Sequence, residues 1–111
     1  MLRHCWNLLA SLALLGLSTA CAPEIGDKCR NHRDCAGVEQ RSCDTSTPGG
    51  YCTIMDCDRN GCPNEAVCVN FGEISACMRR CDKTACDRDD EGYVCRGDIG
   101  AVPFCYLPEE D

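Results

Sequence analysis

One stretch of the chain is apolar but for Ser11, Leu8 to Leu17, and it lies close to the N-terminus. Beyond it, hydrophobic residues come in short groups, most of them built around a cysteine. Val67-Cys68-Val69 and Ala76-Cys77-Met78 flank the segment Asn70-Phe71-Gly72-Glu73-Ile74-Ser75, and Tyr93-Val94-Cys95 and Phe104-Cys105-Tyr106 flank Gly97 to Pro103. Extended-looking runs of β-branched and aromatic residues on either side of a Gly-, Asn- or Pro-bearing turn predict irregular β-hairpins. Thr45-Ser46-Thr47-Pro48-Gly49-Gly50 supplies the corresponding turn earlier in the chain.

The cysteines place these hairpins in a repeat. Twelve of them fall into three groups of four: Cys29, Cys35, Cys43, Cys52; Cys57, Cys62, Cys68, Cys77; and Cys81, Cys86, Cys95, Cys105. The steps are 6, 8, 9, then 5, 6, 9, then 5, 9, 10, so each group opens on a short step and closes on a long one. Gaps of 5 and 4 residues between groups leave no room for linkers, and Asp58 and Asp82 each follow the first cysteine of their group. A fixed period of this kind is the mark of repeated supersecondary units. The expected units are 29–56, 57–80 and 81–108. Four cysteines allow three pairings in each unit. First-to-third with second-to-fourth is the favoured one here, because it would pin the N-terminal part of each unit across its hairpin; bridges between units stay open as well.

Composition explains why so many cysteines are present. Large apolar side chains are few: Phe71, Phe104, Tyr51, Tyr93, Tyr106 and some Val and Ile. A short chain with so little to bury is held by disulfides instead, each contributing about 2–4 kcal/mol by restricting the unfolded ensemble. The fold class expected is therefore small and disulfide-rich, with short irregular β-hairpins and little regular secondary structure. Such bridges persist in oxidising compartments. There is no Cys-x-x-Cys pair, and beyond His4 the one histidine is His32, so neither a zinc module nor a dithiol redox centre fits.

The N-terminus agrees with export. Arg3 and His4 precede the apolar run, and Ser18, Thr19 and Ala20 follow it, which is the layout of a cleavable signal over residues 1–20. About ten apolar residues are too few to span a bilayer, which takes roughly 20. Ser18 and Ala20 suit ordinary signal peptidase, whereas a cysteine directly after a small residue resembles the lipobox of bacterial lipoproteins, with Leu17 four residues before Cys21 rather than three; both readings cut before Cys21. The chain has 14 cysteines, of which Cys5 leaves with the signal, and the remaining thirteen cannot all pair within one molecule. A thioether-linked lipid on Cys21 restores an even set of twelve, and residues 21–28 then read as a tether.

Several of these strings belong together. Gly26-Asp27-Lys28-Cys29, Asp34-Cys35, Gly50-Tyr51-Cys52 and Gly92-Tyr93-Val94-Cys95 carry the short units Gly-Asp-x-Cys, Asp-Cys and Gly-Tyr-x-Cys downstream of an export signal. In this the chain resembles the cysteine-rich lipoproteins abundant in myxobacteria and related predatory or soil bacteria, over nearly all of residues 26–108. The resemblance implies a lipoprotein at the cell surface or in the periplasm. It implies no catalytic or ligand residue.

Charge narrows the partners. The full chain carries −7, and loss of Arg3 leaves 10 Lys+Arg against 18 Asp+Glu, a net of −8. That sign opposes nucleic acid, and it gives no attraction to anionic headgroups, so membrane attachment would rest on the lipid alone. Asp87, Asp89 and Glu91, with Gly92 sixth and Asp98 twelfth, fall on the spacing of a calcium-binding EF-hand loop, although Asp98 is shorter than the bidentate Glu of that loop. A solvated acidic turn is the competing reading. His32, among Arg30, Asn31, Arg33 and Asp34, reads as an exposed loop residue and not as a catalytic base. The loop at Phe71 and the pair Arg79-Arg80 are the candidate contact points for a protein partner of unknown identity. The expectation is an exported envelope protein, lipid-anchored in the outer membrane, with a structural or binding role, no cofactor and no catalysis. The alternative is a soluble secreted inhibitor or toxin-like binder.

Overall fold

The computed structural model describes residues 23–35 and 41–109. Among the described residues six strands form three separate antiparallel hairpins: β1 (Arg41–Asp44) with β2 (Tyr51–Ile54), β3 (Ala66–Asn70) with β4 (Ser75–Arg79), and β5 (Val94–Arg96) with β6 (Phe104–Tyr106). Single 3₁₀ turns at His32–Cys35 and Asp89–Glu91 complete the regular structure among the described residues.

One register recurs in all three hairpins. The third and fourth cysteines of each unit stand opposite one another on the ladder: Cys43 with Cys52, Cys68 with Cys77, Cys95 with Cys105. Opposed residues of an antiparallel pair project from the same face. The two sulfurs therefore stand side by side, and each reaches to the segment lying over that face instead of to its neighbour. The bridges are Cys29–Cys43 and Cys35–Cys52, Cys57–Cys68 and Cys62–Cys77, Cys81–Cys95 and Cys86–Cys105. Their Cα separations of 5.5–6.0 Å lie inside the range a disulfide accepts without backbone movement. Of the three pairings open to each unit, the fold uses first-to-third with second-to-fourth every time. Among the described residues no cysteine is left free.

The units are stapled singly but packed jointly. Hydrogen bonding passes from hairpin to hairpin through isolated antiparallel bridges, Met55 with Ala76 and Arg80 with Phe104, so β2, β4 and β6 become successive neighbours. The Thr53 hydroxyl donates to the Cys77 carbonyl at 2.7 Å, and the Cys81 amide donates to Pro103 at 3.0 Å. Along these strands runs one apolar core. Ile54 and Tyr51 come from the first unit, Ala66, Val69, Ala76 and Met78 from the second, and Tyr93 and Phe104 from the third. The sulfurs of Cys29, Cys35, Cys43 and Cys52 form a second buried cluster of their own.

Residues 23–28 do not behave as a tether. Ile25 is fully buried in the shared core, the Gly26 amide donates to the Cys52 carbonyl at 2.9 Å, and the Cys52 amide donates back to Asp27 at 3.0 Å. The segment is bonded alongside β2, and Glu24 pairs with Arg79 at 3.1 Å. The physical reason is that β2 is buried along its whole length and needs an apolar neighbour, which Ile25 provides. The expected tether at 21–28 is corrected accordingly, and its first two residues lie outside the described part.

Close approach requires glycine at Gly26 and Gly50, among others. Gly26, at φ +94°, would place a Cβ 2.8 Å from the Arg79 Cβ, and Gly50, at φ +78°, would drive one into the Cys29 carbonyl. Left-handed backbone alone costs an L-residue about 1–2 kcal/mol. Gly50→Ala is therefore expected to lose more than that amount, read as a lower melting temperature of the oxidised protein and a lower yield of correctly bridged material on refolding.

Candidate functional site

The hydroxyl of Tyr51 joins the three units. It donates to the Cys105 carbonyl at 2.6 Å and accepts the Arg79 amide at 3.0 Å, so one oxygen of the first unit bonds the backbone of the other two. Its ring lies 5.6 Å from Tyr93, tilted, and 6.0 Å from Tyr106, edge-on. Burial pushes the Tyr51 phenol upward from its ordinary pKa, so it stays neutral and keeps its donor. Both Gly-Tyr motifs of the sequence thus end at the same junction.

Beside it sits a buried arginine. Arg88 retains only 4% of its exposure and donates to the Gly26 carbonyl at 2.8 Å, the Pro48 carbonyl at 2.9 Å and the Glu91 carboxylate at 2.7 Å. Its guanidinium lies 4.5 Å from the centre of the Tyr93 ring, whose hydroxyl donates to Pro48 at 2.7 Å. Lys28 adds a longer pairing to Glu91 at 3.5 Å. The Arg88 hydrogen bond holds the Glu91 carboxyl below its usual range.

This use of Glu91 bears on the EF-hand spacing. Asp98 is likewise engaged, by both nitrogens of the Arg96 fork at 2.7 and 2.9 Å, which lowers its pKa. Asp87 and Asp89 are exposed, and among the described residues the four carboxylates do not gather within ligand distance of one another. The residues match the spacing of a cation loop, but a 3₁₀ turn at Asp89–Glu91 and the two arginines direct them elsewhere. Of the four carboxylates on that spacing, Asp87, Asp89, Glu91 and Asp98, two are thus paired with arginines.

The other candidates are tied into the fold. The exposed His32 accepts the Cys43 amide on Nδ1 at 3.0 Å, fastening its 3₁₀ turn to β1. Arg79 pairs with Glu24, and Arg80 makes a bidentate pair with Asp82 at 2.8 Å, holding that carboxyl at about 2. Phe71 is only half exposed and packs edge-on against Phe104 at 5.9 Å and tilted against Tyr106 at 5.8 Å. Cys21 lies outside the described residues.

Between the hairpins the fold leaves an open apolar groove of about 260 Å³. Residues 51, 53 and 55 alternate onto one face of β2 and its continuation, so Tyr51, Thr53 and Met55 form one wall. Phe71, Ile74, Ala76 and Met78 line the groove from the second unit, and Tyr106 and Asp44 complete the lining. Met55 and Ile74 are 41% and 50% exposed, two of three large hydrophobic residues that stand out from the surface among those described. The chain alone offered no cleft, because the groove is made by units brought together, and no local signal marks it. No family model, curated protein or solved structure matches this chain. Chemistry must therefore be argued from the residues themselves.

Tyr51→Phe leaves the Arg79 amide and the Cys105 carbonyl without their partner at the junction. Each such group costs about 1–3 kcal/mol, so a marked fall in melting temperature is expected, with all six bridges intact by mass. Acid should act on Glu91 in a defined direction. Its folded pKa is depressed, so its contribution is complete above the ordinary carboxylate range and is lost as pH falls through the folded value. The melting temperature is expected to be level from about pH 8 to 5 and to decline toward pH 2, with Glu91→Gln lowering the neutral-pH plateau and shrinking the acid decline.

Proposed function

We propose that this chain is an exported cysteine-rich protein of the cell envelope, anchored through an acylated Cys21, with a non-catalytic binding role. The observation that carries the anchor is the closure of the disulfide set: all twelve cysteines from Cys29 to Cys105 bond one another inside their own units. None of them remains to take Cys21 as a partner once the signal containing Cys5 is removed. Six bridges in so small a body belong outside a reducing cytosol. Among the described residues no helix is long and apolar enough to cross a membrane. Resemblance to the myxobacterial lipoproteins supports the same anchor.

The folded body begins almost at the proposed anchor. The Pro23 carbonyl already accepts Arg41 at 2.9 Å, so a lipid on Cys21 would hold the body close to the bilayer with one residue between them. Several groups that could do chemistry are tied into the fold, the His32 imidazole on the β1 backbone and the carboxylates of Asp82, Glu91 and Asp98 on arginines. A binding role draws on the groove and on the low entropy loss of a stapled scaffold.

Intact mass spectrometry of the membrane-extracted protein, without reductant, tests the anchor. The expected mass is that of the chain from Cys21 with acyl groups added and no alkylatable thiol. An unmodified Cys21 carrying one reactive thiol, recovered from the culture medium, would replace the anchor with the soluble secreted reading.

A further inference from the structure

We propose that the groove between the hairpins is a binding site for a small amphipathic ammonium ion, its hydrocarbon body lying on Met55, Ile74 and Met78 and its charge facing Asp44. This deepens the binding half of the reading above and stands apart from the anchor at Cys21.

Charge selects the ligand. Asp44 is the one ionised residue in the lining, and no lysine or arginine contributes to it. Asp44 ends β1 directly opposite Tyr51, and its Oδ1 accepts the Ser46 amide at 3.0 Å and hydroxyl at 2.6 Å, so the turn orients the carboxylate. Among the described residues it has no ion-pair partner, in contrast to Asp82, Glu91 and Asp98. Its field reaches the Tyr106 phenol, whose pKa is raised by burial first and by Asp44 next. Arg96 lies 6.0 Å from the Tyr106 centroid, but it stands outside the lining and its charge is balanced by Asp98.

The rings reinforce the same preference. Tyr51, Phe71 and Tyr106 meet at steep angles, 89° and 51° to Tyr106, so the groove is bounded by faces and edges of several inclinations. Ring faces attract organic cations by about 0.5–2 kcal/mol, more when water is excluded. Sulfur from two methionines adds a polarizable surface that adapts to an alkyl or aryl group.

Size selects a small molecule over a protein. A volume of about 260 Å³ lies just below the range for drug-sized ligands, roughly 300–1,000 Å³. A stable protein partner needs on the order of 800 Å² from each side, whereas the exposed large hydrophobic residues at the groove are Met55 and Ile74.

The oxidised protein, titrated with phenethylammonium and followed by amide NMR, tests this. Saturable shifts are expected at Asp44, Phe71, Ile74 and Tyr106, and the isosteric anion 3-phenylpropionate is expected to bind about tenfold more weakly. Asp44→Asn keeps an Oδ1 acceptor for Ser46 and should weaken the ammonium about fivefold to tenfold. Absence of shifts in the groove, equal binding of cation and anion, or an unchanged affinity in Asp44→Asn would overturn the proposal. Should that variant fail to fold, the cation–anion comparison on the unaltered protein decides. Neither result depends on whether Cys21 carries a lipid.

Discussion

A hairpin of three to five residues per strand, stapled by two disulfides on one face, has no means of covering its other apolar residues. That shortage governs the rest of the structure. Each unit brings only a few core side chains, and its sulfurs already occupy the face that holds the upstream segment. Burial has to come from the next unit. The result is the row β2, β4, β6, in which the second strand of every hairpin packs beside the second strand of another, with Ile25 filling the end of the row. Repeat architectures commonly behave in this way, since a single repeat cannot bury its hydrophobic face alone.

Polar groups set how the units meet. Apolar contact is non-directional and would tolerate several packings of three small hairpins. The Tyr51 hydroxyl tolerates one, because it needs the Arg79 amide on one side and the Cys105 carbonyl on the other. Arg88 acts similarly between the first and third units: a buried guanidinium that lost Gly26, Pro48 or Glu91 would leave charge unpaired in a dry setting. Disulfides hold each unit together, while these buried hydrogen bonds choose the relation between units. The groove is a by-product of that relation, lined from all three units and absent from any one of them.

Much of the local structure was legible in the chain. Cysteine spacing and the apolar groups around it indicated a small disulfide-rich fold of short hairpins; the turns at Thr45–Gly50 and Gly97–Pro103 lie between the observed strands, and of Asn70–Ser75 the two end residues belong to β3 and β4. The reason is that these features are local: a cysteine between β-formers and a glycine at a turn act over a few residues. The candidate sites were less legible. The acidic run has the spacing of a cation loop, yet arginines at positions 88 and 96 take two of its carboxylates, and spacing carries no information about which neighbour wins. Residues 23–28 read as a tether because they lie between the proposed anchor and the first paired cysteine, and Ile25 alone is a weak signal until the strand it covers is known.

The amino-acid sequence alone determined that covalent cross-links would do what a large core does elsewhere, and that they would come in sets of four. This follows from composition, since the chain has too few large apolar residues to fold by burial alone and too many cysteines to leave reduced. Tertiary structure decided which sulfur bonds which, that the first residues of the body join the core, and that three hairpins enclose a groove with one carboxylate in it. Those outcomes depend on contacts between residues such as Tyr51 and Cys105, 54 positions apart, whose meeting is set by the packing of whole units.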